Sequence, residues 1–344
     1  MKNSLRLPVG KTKIILGFTI LLLATLFLTA FLKLFNQNEN SLQLTSYENK
    51  FQLNFNLQEE DELRFSQILE KLNLPQSTKE GVEFELDATS QARLSYLTPV
   101  NVRLAIKAKE ISFKGTMTRV PFPTLRETSP FISDNFASKK FIIPGSANLV
   151  IFGPDLRDFL KTRFTFPKEL ANWIDDNLIS EHGQYLIILG QDADVAVILR
   201  SAKKIDLDRL KNIPTAEGQQ PVYKEESQEN ITFHLLNLPP DENDQRKTFT
   251  FFQIGEWSFF VSSNAAARIL ASVQKLKNPV FELPKLPPDT SMAVFFRNGN
   301  QPLGPNFYDL LFGQKKKNPQ VFEKVTKFEF ILKANKFSGL MMLK

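Results

Sequence analysis

Val100-Asn101-Val102-Arg103-Leu104-Ala105-Ile106 decides the fold class. Val100, Val102, Leu104 and Ile106 occupy every second position, with Asn101 and Arg103 between them. A period of two belongs to a strand with one buried and one wet face, the habit of antiparallel sheets. The alternation recurs on both sides along the chain. Phe51, Leu53, Phe55 and Leu57 show it, as do Val82, Phe84 and Leu86. Further on come Ile231, Phe233 and Leu235, then Trp257, Phe259 and Val261. The 32 phenylalanines are expected beneath these sheets, as core.

Short helical patterns separate the strands. Leu63, Ile68, Leu69 and Leu72 mark one face behind Glu59-Glu60-Asp61-Glu62, and acids suit a helix N-terminus. Asn264 is placed to cap a helix over 265–276. Others are expected at 155–161, 168–178, 206–211 and 306–312. Strands and helices in this order predict an α+β fold, mainly antiparallel sheets with short helices.

An internal repeat organises the chain. Residues 143–152 (Ile-Pro-Gly-Ser-Ala-Asn-Leu-Val-Ile-Phe) align without gaps on 286–295 (Leu-Pro-Pro-Asp-Thr-Ser-Met-Ala-Val-Phe). At the same offset of 143, residues 185–189 fall on 328–332. An offset of 146 lays 110–113 on 256–259. Two similar lobes are therefore expected, with the polypeptide entering in mid-unit. The spans are a tail at 1–13, a transmembrane helix at 14–35, a polar stalk at 36–48, and interleaved lobes at 49–190 and 191–344.

The transmembrane expectation rests on residues 14–32, which run from Ile14 to Leu32 without a charge. About 19 residues at about 1.5 Å each nearly span a hydrocarbon core of roughly 30 Å. A cleavable signal would have a shorter apolar run and small residues at its cut site, and Leu28-Thr29-Ala30 does not supply them. Lys2, Arg6, Lys11 and Lys13 precede the helix, and Lys33 alone flanks its other end. The positive-inside rule then predicts a cytoplasmic N-terminus and an extracytoplasmic C-terminal region in the cell membrane.

The same residues account for most of the net charge of +6. Residues 1–35 hold five basic side chains and no acid, leaving 38 basic against 37 acidic residues in the remainder. No nucleic-acid partner is expected, and Lys315-Lys316-Lys317 is too short a run to argue for one. The chain has no cysteine, which excludes disulfides and thiolate chemistry and leans towards a bacterial envelope.

Residues 286–296, 194–199, 206–210 and 254–275 carry a family resemblance. They resemble bacterial membrane-anchored envelope proteins of an uncharacterised domain-of-unknown-function family, the 3352 type, over about 140–344. The resemblance implies one N-terminal transmembrane helix followed by repeated strand–helix units. It implies no activity and no catalytic residue.

The chemistry-bearing residues are few. His182 lies in Glu181-His182-Gly183, and His234, out of phase with Phe233 and Leu235, is expected to face solvent. Neither has metal-ligand spacing. Ser180, Ser262 and Ser263 suit turns or caps, and no nucleophile elbow or phosphate-binding glycine loop occurs. Paired acids stand at Asp175-Asp176, Asp192 with Asp194, Asp206 with Asp208, and Glu225-Glu226. Such pairs serve glycoside hydrolysis when they converge, but turn and helix-start positions explain them as structure. No catalytic, cofactor-binding or metal-binding residue is nominated, and no cofactor is expected. The expected function is binding or scaffolding of a protein or other envelope component. The alternatives are a cofactor-free hydrolase using a carboxylate pair, or a lipid- or peptide-binding module.

Overall fold

The computed structural model describes residues 41–47, 50–57, 61–64, 67, 82–84, 98–107, 109–118, 143–154, 157, 168–180, 184–190, 194–200, 205–213, 222–237, 248–275, 286–287, 290–299 and 324–344. The expected transmembrane helix lies outside them, as do His182, Asp192 and Lys315-Lys316-Lys317. Among the described residues no helix is long and apolar enough to cross a membrane. They form mostly antiparallel sheet with a few short helices.

The chain forms two compact units. Unit 1 takes residues 1–128, 289–302 and 315–344, and unit 2 takes 129–288 and 303–314. The units are thus assembled from separate stretches, and position 190/191 falls inside a hairpin of unit 2.

Unit 1 contains β1 (Ser41–Tyr47), β2 (Lys50–Asn56), β3 (Val82–Phe84), β4 (Val100–Lys107) and β5 (Glu110–Met117). Far along the chain it gains β13 (Met292–Arg297), β14 (Val325–Lys333) and β15 (Lys336–Leu343). The sheet order is β3-β2-β1-β4-β5-β15-β14-β13. Along β4 the expected alternation is realised: Val100, Val102, Leu104 and Ile106 are buried, and Asn101, Arg103, Ala105 and Lys107 are exposed. Ile111, Phe113, Met117, Phe337, Met341, Phe328, Phe330 and Leu332 extend the buried face across β5, β15 and β14. Phe113 packs 6.2 Å from Phe328 and 6.4 Å from Phe337, between ring centroids.

Unit 2 contains β6 (Ala147–Pro154), β7 (Gln184–Gly190), β8 (Val195–Arg200), β9 (Val222–Gln228), β10 (Ile231–Asn237), β11 (Thr248–Ile254) and β12 (Trp257–Val261). Its helices are α1 (Lys168–Asn177), α2 (Leu207–Lys211) and α3 (Asn264–Lys275). The sheet order is β6-β7-β8-β12-β11-β10-β9. Glu229 and Asn230, both at positive φ, make the two-residue β9–β10 turn, a conformation that matches strand twist.

The unit 2 sheet is covered on both faces. On one, Trp173 of α1 meets Phe251 edge-on at 6.0 Å and Phe260 at 6.4 Å. Its indole N–H donates to Asp206 O at 2.7 Å, and Asn177 Oδ1 accepts from Asp206 N at 2.8 Å, so α1 and α2 are tied together. On the other face Phe233, Phe252 and Phe259 stack in sequence at 5.1 and 4.4 Å, with Arg268 of α3 over the Phe233 ring. Helix α3 is capped by Ser263, whose Oγ accepts from Ala266 N at 3.1 Å. This corrects the expectation for Asn264: its Oδ1 is buried without a hydrogen-bond partner among the described residues. The hydroxyl one residue earlier already serves the helix's first turn.

One strand pair of each unit has a matching register. Val150 pairs Ile188, Ile151 pairs Ile187 and Phe152 pairs Leu186 in β6–β7. Adding 143 to each number gives the β13–β14 pairs Ala293 with Ile331, Val294 with Phe330, and Phe295 with Glu329.

Candidate functional site

The wet face of unit 1 is the candidate. Strands β1, β4, β5, β15 and β14 run antiparallel side by side, so cross-strand partners point the same way. One row across the sheet reads Ser41, Arg103, Lys114, Ser338, Ile331. The next row reads Gln43, Asn101, Thr116, Lys336, Lys333. These ten residues line one concavity of about 800 Å³. Val102, Gly115 and Phe337 complete its described lining, which contains no carboxylate.

The charges are arranged against the ordinary rule for sheets. Arg103 stands directly opposite Lys114, and Lys336 opposite Lys333. Like charges in such positions are destabilising, by the same few tenths to about 1 kcal/mol that opposite charges gain. The far end of the same face follows the rule. Lys107 Nζ lies 3.0 Å from Glu110 Oε1, and Lys327 Nζ lies 2.6 Å from Glu329 Oε1. A net charge of about +1 over residues 36–344 hides this local concentration, because its cations come from two strand pairs distant in sequence.

A second polar cluster lies in unit 2. Tyr223 Oη is 2.6 Å from Glu225 Oε1 and 2.6 Å from His234 Nδ1. Lys211 Nζ sits 3.2 Å from Glu225 Oε1 and 5.6 Å from the Tyr223 ring centroid. An ionised carboxylate only accepts, so all three groups are satisfied when the phenol donates to Glu225 and the His234 Nδ1–H donates to the phenol oxygen. Burial raises the Tyr223 pKa, and its hydrogen bond to Glu225 raises it further. That same bond lowers the Glu225 pKa, with help from Lys211. Burial lowers the pKa of His234. The phenol thus stays protonated, and the cluster ties β9 to β10 and α2.

His234 is buried, contrary to the expectation of a solvent-facing side chain. Its ring stacks 5.9 Å from that of Phe251. The reason is that β10 is buried on both sides over 233–236: Phe233 and Leu235 on one side, and His234 and Leu236 on the other.

Among the described residues the members of an acid pair do not face one another, although Asp208 and Glu225, from different pairs, both approach Lys211 Nζ. Glu225 and Glu226 are successive strand residues, so they face opposite ways. Glu225 meets His234, and Glu226 accepts from Arg268 of α3 on the other side. Asp175 and Asp176 are both exposed on α1, with Arg209 bonded to Asp176. Asp206 caps α2 by accepting from Arg209 N at 2.9 Å. Asp208 lies in that helix's first turn, with its side chain 94% exposed. Asp194 directly precedes β8, where its carbonyl accepts from Gly190 N. Among the described residues no group of three or more His, Asp or Glu could hold a metal ion.

The Ser262 hydroxyl, like that of Ser263, is engaged by the backbone. Ser262 Oγ accepts from Val195 N at 2.8 Å, and Ser180 N donates to Tyr185 Oη at 3.2 Å.

No protein-family model and no curated protein matches the chain. One solved structure with a distant likeness is described as crystal form I of TP0453. It is 11% identical over 58% of this chain and 77% of that one, with a TM-score of 0.34. At that score the likeness carries no argument about fold or function.

Proposed function

We propose that the protein is a membrane-tethered, extracytoplasmic binding or scaffolding protein of the cell envelope, whose working surface is the wet face of the unit 1 sheet. The observation that carries the reading is the concavity over β4, β5, β14 and β15, with like-charged residues at paired positions on neighbouring strands. Among the described residues, the separation of the members of each acid pair favours binding over hydrolysis.

The tether part rests on the sequence of residues 14–32 and on the charge asymmetry around it. The two-lobe part and the envelope-family resemblance belong to the same reading. They are supported by the shared offset of 143 between the β6–β7 and β13–β14 registers.

Protease treatment of intact spheroplasts tests the topology. Digestion of the C-terminal region from outside, with an N-terminal tag protected, is expected. Protection of both ends sinks the tether reading.

A further inference from the structure

We propose that β9 is an acid-released edge strand: when His234 takes up a proton, β9 leaves β10 while the rest of the unit 2 sheet stays paired. The proposal does not rest on the binding role of unit 1.

β9 is the most weakly held strand of its unit. It stands at the end of the sheet order, beside β10. Among the described strands of unit 2 it is the one with no buried side chain, and its Val222 is 56% exposed. Strands β6, β7, β8, β10, β11 and β12 all contribute to the core. Apolar burial therefore does little to hold β9, and local opening begins where such burial is least. Polar side chains anchor it instead. On one face Arg268 of α3 binds Glu226 and Gln228. On the other, Tyr223 and Glu225 meet His234 of β10 and Lys211 of α2.

The second anchor contains an imidazole, the side chain whose charge ordinarily changes between about pH 5 and 8. The His234 side chain is 11% exposed. Its ring lies between those of Tyr223 and Phe251, at 6.1 and 5.9 Å between centroids. Nδ1 is engaged with Tyr223 Oη, so an added proton goes to Nε2, where no described group accepts it. The charged groups around the ring are few. Glu225 of β9 lies 3.6 Å from Nδ1, but it already accepts from Tyr223 and pairs with Lys211 Nζ. Lys211 brings a like charge, and Asp208 of the same helix points its carboxylate into water. β11 and α1 present Phe251 and Trp173, neither of them charged. Burial thus disfavours the imidazolium, in line with its lowered pKa. When β9 leaves, Tyr223 goes with it and water reaches the ring, so proton uptake favours the open form. The edge of β10 that β9 covers then becomes available for strand pairing.

The test is hydrogen exchange of the full chain in neutral detergent, at about pH 7.5 and about pH 5, expressed as protection over intrinsic rates. Protection across 222–228 should fall about tenfold in acid, while β11 and β12 keep theirs. His234→Gln leaves a side chain that can donate to Tyr223 Oη and takes up no proton. It should retain protection of β9 at neutral pH and lose the acid response. Tyr223→Phe keeps the ring and removes the bridging hydroxyl, and should lower the protection of β9 already at neutral pH. Near-ultraviolet circular dichroism checks that both variants are folded. Unchanged protection of the wild-type β9 in acid overturns the proposal. So does an acid response retained by folded His234→Gln, which would make a carboxylate the trigger. Parallel loss in β11 and β12, or wild-type protection of β9 at neutral pH in Tyr223→Phe, overturns it equally.

Discussion

Phe337 and Phe113 each lie across the glycine that pairs with the other's strand: Phe337 rests against Gly115, and Phe113 against Gly339. The exchange is reciprocal across β5 and β15. Each glycine leaves the space of a side chain, and an aromatic ring from the neighbouring strand fills it. A Cβ at Gly115 would meet the Phe337 ring and Asn101 O, and one at Gly339 would meet the Phe113 ring and Glu329 O.

Gly115→Ala and Gly339→Ala should therefore each destabilise unit 1 by about 1–3 kcal/mol, the range for overpacking. The backbone oxygens cannot rotate away as a side chain would. Urea unfolding monitored by near-ultraviolet circular dichroism measures the loss. Wild-type midpoints in both variants would show that the rings are not confined as described.

Trp173→Phe should cost about 1–3 kcal/mol. The substitution removes the part-buried hydrogen bond from the indole N–H to Asp206 O and thins the contacts to Phe251 and Phe260. Thermal unfolding followed by the fluorescence of the remaining tryptophan, Trp257, reads it.

Ser262→Ala should loosen the join between β12 and β8. The hydroxyl accepts the Val195 N–H, while Ser262 N donates to Val195 O at 2.8 Å. Losing the acceptor should cost about 1 kcal/mol. Faster hydrogen exchange at the Val195 amide, with little change at the β10–β11 pairing, is the expected pattern.

Acid should weaken the β9 edge of unit 2. His234 has a folded pKa below its ordinary value of about 6.5. Its contribution is intact above that value and is lost as pH falls through the folded pKa. Glu225 is also shifted down, so its contribution is intact above the usual carboxylate range and lost as pH falls further. Both signs agree: the β9–β10 pairing should be firmest at neutral pH and loosen on acidification. The His234 ring signals, followed by NMR, should titrate below pH 6.5 or so. Titration above that point would contradict the burial seen here.

The strand pattern of unit 1 was legible because one face is wet. Val100 to Ile106 alternate in sequence and alternate in burial. In unit 2 the same rule failed at His234, since a sheet covered on both sides gives no polar phase. The doublets Leu235-Leu236, Phe251-Phe252 and Phe259-Phe260 are the signal of double burial, and they stand beside the alternating residues that drew the reading. The cationic concavity was hidden for another reason. Arg103, Lys114, Lys333 and Lys336 become neighbours only through the β5–β15 pairing, and a charge total has no geometry. The cap of α3 was missed by one residue, which is the usual scale of helix-boundary error.

The β5–β15 pairing also dictates when each unit can form. Asn335 Nδ2 donates to Met117 O across 218 positions of sequence, and the whole of unit 2's sheet lies between. Unit 2 draws β6 to β12 from one continuous run, so its strands can pair as soon as that run has emerged. Strands β1 to β5 are made first and yet must wait for β15. Until it arrives, Ile111 and Phe113 lack the neighbours that bury them. On a chain made from the N-terminus, unit 1 is the last to close although its synthesis begins first. The open edge of β5 is then the nascent protein's point of exposure to misassembly.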